Sequence, residues 1–202
     1  DSTGRVYTFP SHNLPSARGQ GEPVTGRINP PSGATFEGLM MGAANTQFLL
    51  ATDAGYGFVA NLSNLQTKNR SGKTVLTLPN SSKVVQPALI SQKNNSCVVA
   101  VSNEGRMLMF PLSELPELAR GKGNKIINIP TSRLRNREEW MVGVQIVAPK
   151  DILVIFSGKR HLKLKFSDLE RYRGERGRRG LKLPKGLQKV DSLQIERPVE
   201  LT

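Results

Sequence analysis

A glycine-marked segment recurs at nearly constant spacing, and this repetition limits the possible folds more than any other feature of the chain. Gly4, Gly55, Gly105 and Gly158 lie 51, 50 and 53 residues apart. Each marks a strand-like run: Thr3–Phe9, Ala54–Ala60, Glu104–Phe110 and Ser157–Leu164. The order of parts after each glycine is also constant. A helical-turn signal comes first: His12-Asn13-Leu14, Ser63-Asn64-Leu65, Ser113-Glu114-Leu115 and Ser167-Asp168-Leu169. Serine suits an N-cap there, and leucine suits an anchor into the core. A glycine-bearing basic loop follows, at 17–21, 68–73, 119–125 and 174–180. A second strand then ends at Pro30, Pro79, Pro130 or Pro184. A third apolar run occupies 34–43, 82–91, 138–148 or 187–196.

In the first three copies a fourth strand leads to the next marker glycine: Phe48–Ala51, Cys97–Val101 or Ile152–Phe156. The runs are short, β-branched and bounded by Gly, Pro, Asn or Asp, so they read as strands. From His161 to Phe166 the alternation is clean, with Leu162, Leu164 and Phe166 on one face and His161, Lys163 and Lys165 on the other. Four strands in about 50 residues is the arithmetic of a propeller blade. The expected fold is all-β, with four four-stranded blades from repeats at about 1–50, 51–100, 101–153 and 154–202. The phase of the first copy, which has no fourth strand ahead of Gly4, leads us to expect part of another copy upstream.

The charge is lopsided. There are 29 Lys and Arg against 16 Asp and Glu, a net of +13. Such an excess points to a polyanion, with nucleic acid ahead of a membrane surface. No segment approaches the roughly 20 apolar residues that span a bilayer. Aromatics make up 5% of the chain, so stacking of unpaired bases on exposed rings is a poor model. No helix signal suggests readout in the major groove. Sequence-independent contact with a duplex backbone is the expected mode.

Catalytic chemistry finds little support. His12 and His161 lie in different repeats without a motif partner and read as solvent-facing. The acids are scattered, and neither a Cys/His metal spacing nor a Walker-type loop is present. Cys97, the single cysteine, sits among apolar residues and reads as a buried structural thiol. One unpaired cysteine fits a reducing compartment. Trp140 reads as core.

The segments Asp1–Tyr7, Leu14–Pro23, Asp53–Phe58, Gly105–Pro111, Gly121–Pro130 and Gly174–Gly180 together resemble the C-terminal domain of the A subunit of bacterial topoisomerase IV, the paralogue of the gyrase A subunit. The resemblance spans nearly the whole chain. It implies a β-pinwheel whose adjacent blades exchange strands, with double-stranded DNA bound around a basic rim. It implies a bacterial, cytoplasmic, nucleoid-associated enzyme that uses ATP and magnesium in chromosome segregation, with no cofactor in this segment. The topoisomerase IV B subunit and a second A subunit would then be partners through upstream domains. The covalent tyrosine would also lie upstream, so Tyr172 is not assigned that role. The gyrase branch carries a Gln-Arg-Arg-Gly-Gly-Lys-Gly loop that enforces wrapping, and no loop here matches it. That departure implies bending without a full wrap. The alternatives are a gyrase A domain and a protein-interaction scaffold.

Glycine in these loops lets backbone N–H groups approach phosphate, and arginine offers a bidentate fork. The candidate DNA contacts are Arg18, Lys68, Arg70, Lys73, Arg120, Lys122, Lys125, Lys159, Arg160, Lys163, Lys165, Arg171, Arg173, Arg176, Arg178, Arg179 and Lys182. The fourth copy is richest: Gly158–Lys189 holds twelve Lys and Arg against three acids, a net of +9. Replacing Arg176, Arg178 and Arg179 with alanine is expected to weaken binding without unfolding the domain.

Overall fold

The computed structural model describes residues 1–16 and 18–197; Ala17 of the first basic loop and residues 198–202 of the fourth repeat lie outside the described residues. The strands are β1 (Arg5–Val6), β2 (Gln47–Thr52), β3 (Tyr56–Asn61), β4 (Lys73–Thr74), β5 (Val84–Ile90), β6 (Cys97–Ser102), β7 (Arg106–Pro111), β8 (Asn124–Lys125), β9 (Met141–Val147), β10 (Ile152–Ser157), β11 (Arg160–Lys165), β12 (Leu181–Lys182) and β13 (Ser192–Glu196). They form four antiparallel sheets, in the orders β1-β4, β5-β2-β3-β8, β9-β6-β7-β12 and β13-β10-β11.

The same logic builds each sheet. The strands before and after the marker glycine make a hairpin, and the third apolar run of the same repeat covers one edge. The other edge takes a two-residue strand lent by the following repeat: β4 on β1, β8 on β3 and β12 on β7. The expected second strands of the second, third and fourth repeats are therefore real but very short, whereas the one expected before Pro30 does not form.

Among the described residues, only two sheets reach four strands. Residues 34–43 form no strand, contrary to expectation. Their counterparts β5, β9 and β13 each pair with the strand preceding a marker glycine, and among the described residues no strand precedes Gly4. Phe36, Leu39 and Met41 are consequently exposed. The fourth sheet has three strands, since no lent strand covers β11 among the described residues.

Both faces of the β2-β3 and β6-β7 hairpins are buried, which explains their unbroken apolar runs. In β6, Val98 and Ala100 enter a core shared with β2 and β5, while Cys97, Val99 and Val101 enter a second core shared with β10 and β13. A third core holds Phe48, Leu50, Phe58 and Ala60, with Val6 packed against it. In these central strands the period of two thus sorts alternate residues into different cores, whereas in β11 it sorts Leu162 and Leu164 towards the core and His161, Lys163 and Lys165 into solvent, as expected.

The turn leucines Leu65, Leu115 and Leu169 are buried anchors, but Leu14 is exposed. Ser63, Ser113 and Ser167 are not N-caps. Asn61, Pro111 and Lys165 hold that position, because the last strand residue, already extended, starts the turn directly. In the fourth repeat the Asp168 carboxylate accepts the Lys165 N–H at 2.9 Å. A short helix at Thr131–Arg135 stands between the lent strand and β9. Trp140 is half-buried against the first core, with the Arg137 guanidinium 4.7 Å from its ring centroid.

Candidate nucleic-acid interface

The marker glycines are the sockets of the strand exchange. The Gly4 carbonyl accepts the N–H groups of Val75 and Leu76, both at 3.0 Å. The Gly55 carbonyl accepts Ile126 at 2.7 Å and Ile127 at 3.4 Å, and the Gly105 carbonyl accepts Leu183 at 2.9 Å. All three glycines have positive φ. A Cβ on Gly4 or Gly55 would fall on the carbonyl oxygen of Leu76 or Ile127, so only glycine admits the neighbouring chain.

Three of the four basic loops, those at 68–73, 119–125 and 174–180, are latched to the preceding repeat just beyond this socket. The N–H of Asn29 donates to the Arg70 carbonyl at 2.7 Å, Thr77 to Gly121 at 2.9 Å and Asn128 to Arg178 at 3.0 Å. These three loops therefore recur at equivalent places, the last two at the sheet edges opposite β5 and β9, while the sheet that holds β13 has no such loop among the described residues. Those three strands pack next to one another from sheet to sheet. The basic loops thus face outward from that shared edge.

Expectation and structure part over the loop glycines. The N–H of Gly72 bonds Asn69, that of Gly121 bonds Val75, that of Gly174 bonds Met109 and that of Gly177 bonds Ile126. These donors are taken up inside the protein and are not offered to phosphate. Gly123 and Gly180 instead let the lent strands approach the Gly57 and Met107 carbonyls.

The candidate cations divide by what their side chains touch. Arg18, Lys68, Arg120, Lys159, Arg160, Lys165 and Arg171 are exposed. Lys122 holds its Nζ 4.5 Å from the centroid of the Tyr56 ring, and Lys125 holds its own at 5.6 Å. Tyr56 is thus a member of the candidate site that sequence reading missed. Its signal was its place directly after a marker glycine, where the other repeats carry Arg5, Arg106 and Lys159. Lys163 pairs with Glu196 at 2.7 Å, Lys73 caps the Asn64 carbonyl at 2.7 Å and Lys182 caps Glu104 at 2.9 Å.

Several arginines face neighbouring backbone. Arg70 donates to the Gly26 carbonyl at 2.8 Å and the Arg27 carbonyl at 3.1 Å. Arg176 donates to the Lys125 carbonyl at 2.7 Å. Arg179 donates to the Asn128 carbonyl at 3.0 Å and to Glu139 Oε2 at 3.0 Å. Arg178 is different: it is 71% exposed and pairs only with the equally exposed Glu175. The triple alanine change therefore cannot separate binding from folding, because two of its three arginines tie repeats together.

Arg173 grips Glu170 with two hydrogen bonds of 2.6 and 2.7 Å and reaches Cys97 Sγ at 3.7 Å. The Arg173 hydrogen bond lowers the Glu170 carboxyl below its usual range. Burial pushes the Cys97 thiol up, although Arg173 opposes this. Tyr172 is buried. His12 and His161 are exposed. Among the described residues, no group of three or more His, Cys, Asp or Glu could hold a metal ion, and no helix is long and apolar enough to cross a membrane.

Strand-exchanged blades, with a basic loop at the same edge of three successive sheets, define a β-pinwheel of the propeller-like class. The family described as "DNA gyrase C-terminal domain, beta-propeller" matches residues 46–91 and 98–148. The DNA topoisomerase 4 A subunit of Pseudomonas aeruginosa is 52% identical over 98% of the chain, and that of Escherichia coli K12 is 45% identical over the same share. The chain spans 26% of the length of each. The solved C-terminal domain of E. coli ParC is 44% identical with a TM-score of 0.87, covering 98% of this chain and 79% of that one. The chain belongs to the family of C-terminal domains found in the topoisomerase IV A subunit.

Proposed function

We propose that this domain binds and bends double-stranded DNA by its phosphate backbone, and so guides DNA segments for a type IIA topoisomerase. The observation that supports it is the recurrence of a basic loop at one edge of three successive sheets, with Lys68, Arg120, Lys122, Arg171 and Arg178 exposed there and Arg18 exposed in the first loop. A single such loop binds weakly. Several on a curved edge hold a bent duplex, since added phosphate contacts offset the cost of bending. The domain itself carries no catalytic residue in this reading. Decatenation and supercoil relaxation, ATP and magnesium, the B subunit and a second A subunit belong to the whole enzyme, which acts on the nucleoid in the cytoplasm.

Titration of a labelled duplex at several salt concentrations tests the reading. With about six phosphates contacted, log K falls against log salt with a slope near −5. A slope near zero, or preference for an acidic protein over duplex, overturns it in favour of an interaction scaffold.

A further inference from the structure

Glu139 is the most deeply buried acid of the molecule among the described residues, and it stands beside the richest basic loop. Its Oε2 accepts Arg133 Nη1 at 2.9 Å and Arg179 Nη2 at 3.0 Å. Its Oε1 is buried with no partner. Arg133 lies on the helix at 131–135 of the third repeat, while Arg179 lies in the basic loop of the fourth. The other end of the Arg179 fork holds the Asn128 carbonyl at 3.0 Å, and the adjacent Asn128 N–H holds the Arg178 carbonyl at 3.0 Å. One carboxylate therefore offsets one of the two positive charges it touches, and through the Arg179 fork, beside the Asn128 N–H bond, it fixes the loop next to the exposed Arg178 side chain.

A carboxylate is an odd choice beside a surface meant for DNA. Its charge repels phosphate, and its burial is costly unless it is well paired. Exposed acids nearby, such as Glu138 and Glu175, are screened by solvent, whereas Glu139 is not. Its position makes sense if the geometry it enforces outweighs the repulsion it adds.

We infer that Glu139 is a positioning residue for DNA binding: it sets the pose of the 174–180 loop, and with it the direction in which Arg178 faces the duplex. The inference rests on the DNA-binding reading given above. It extends that reading to a negatively charged residue which the sum of charges would count against binding.

The sign of one effect tests this. Glu139→Gln removes a negative charge from a basic edge. If Glu139 acts only through its charge, duplex binds more tightly. If it positions the loop, duplex binds about five- to tenfold more weakly. Glu138→Gln removes the same charge from a neighbouring, exposed site and serves as the control, with binding unchanged or slightly tighter. Arg179→Lys keeps the net charge but loses the two-ended fork, so it should reproduce the Glu139→Gln defect. It also decides the matter if Glu139→Gln does not fold. DNA bending, read by energy transfer between labelled duplex ends, should fall in Glu139→Gln and Arg179→Lys and stay constant in Glu138→Gln. Tighter binding or undiminished bending by a folded Glu139→Gln overturns the inference, as does wild-type binding by Arg179→Lys. Absence of salt-dependent duplex binding by the wild-type protein instead overturns the underlying reading.

Discussion

Arg176 donates to the backbone carbonyl of Lys125, 51 residues earlier in the chain, at 2.7 Å. The spacing is that of the repeat itself, so a residue of one basic loop is bonded to its counterpart region in the preceding copy. The basic edge is thus also a seam between blades. Charge on this edge does two jobs, and substitutions can tell them apart.

The first separation is within the 174–180 loop. Arg179→Ala strips one partner from the buried Glu139 carboxylate and frees the Asn128 carbonyl. It should destabilise the domain by about 2–3 kcal/mol in urea denaturation. Arg178→Ala removes an exposed, solvent-screened side chain and should leave the transition within about 0.5 kcal/mol of wild type. It should nonetheless weaken duplex binding and reduce the salt slope by about one.

Glycine sockets give a second test. Gly55→Ala puts a methyl group on the Ile127 carbonyl and also demands a positive φ. The β8 exchange should fail, with a loss of at least about 3 kcal/mol. Gly158→Ala meets open space, leaving only the conformational cost of its positive φ, about 1–2 kcal/mol. Equal losses would contradict the socket role.

The lysine pair over Tyr56 offers a third. Lys122→Ala should lower duplex affinity and the salt slope by about one, with little change in stability. Tyr56→Phe keeps the ring face and should bind nearly as wild type, whereas Tyr56→Ala should loosen both lysines and weaken binding. Fluorescence anisotropy at two salt concentrations distinguishes these outcomes.

A fourth concerns pH and thiol reactivity. Burial raises the Cys97 thiol, so the native protein should resist alkylation near neutral pH and react only on unfolding. Arg173 lowers the Glu170 carboxyl, so the folded pKa lies below the unfolded one. That contribution is present above the unfolded value and is lost as pH falls through the folded one. Wild type and Glu170→Gln should therefore differ slightly near neutrality and converge in acid. A difference that grows below the usual glutamate range would contradict the assignment.

The repeat period, the strand-rich character and the basic loops were all legible in the chain. Local chemistry dictates them: β-branched runs, turn residues and charge are properties of neighbouring positions. The turn leucines at 65, 115 and 169 were legible for the same reason. Why the first three copies need their marker glycine was not legible, because the clash avoided involves a neighbouring repeat, as with the Ile127 carbonyl, 72 residues away from Gly55. Nor could sequence tell that Arg178 faces solvent while Arg179 faces a buried acid. Adjacent residues in one loop carry the same charge, and only the arrival of Asn128 and Glu139 from the preceding repeat gives them different partners. The failed strand at 34–43 has the same origin: an apolar run becomes a strand only where another strand supplies its hydrogen bonds. The chain by itself determined what kind of blade is built and how often. Tertiary structure decided which cations hold the blades together and which remain free, since hydrogen-bond partners across repeats are set by packing and not by adjacency.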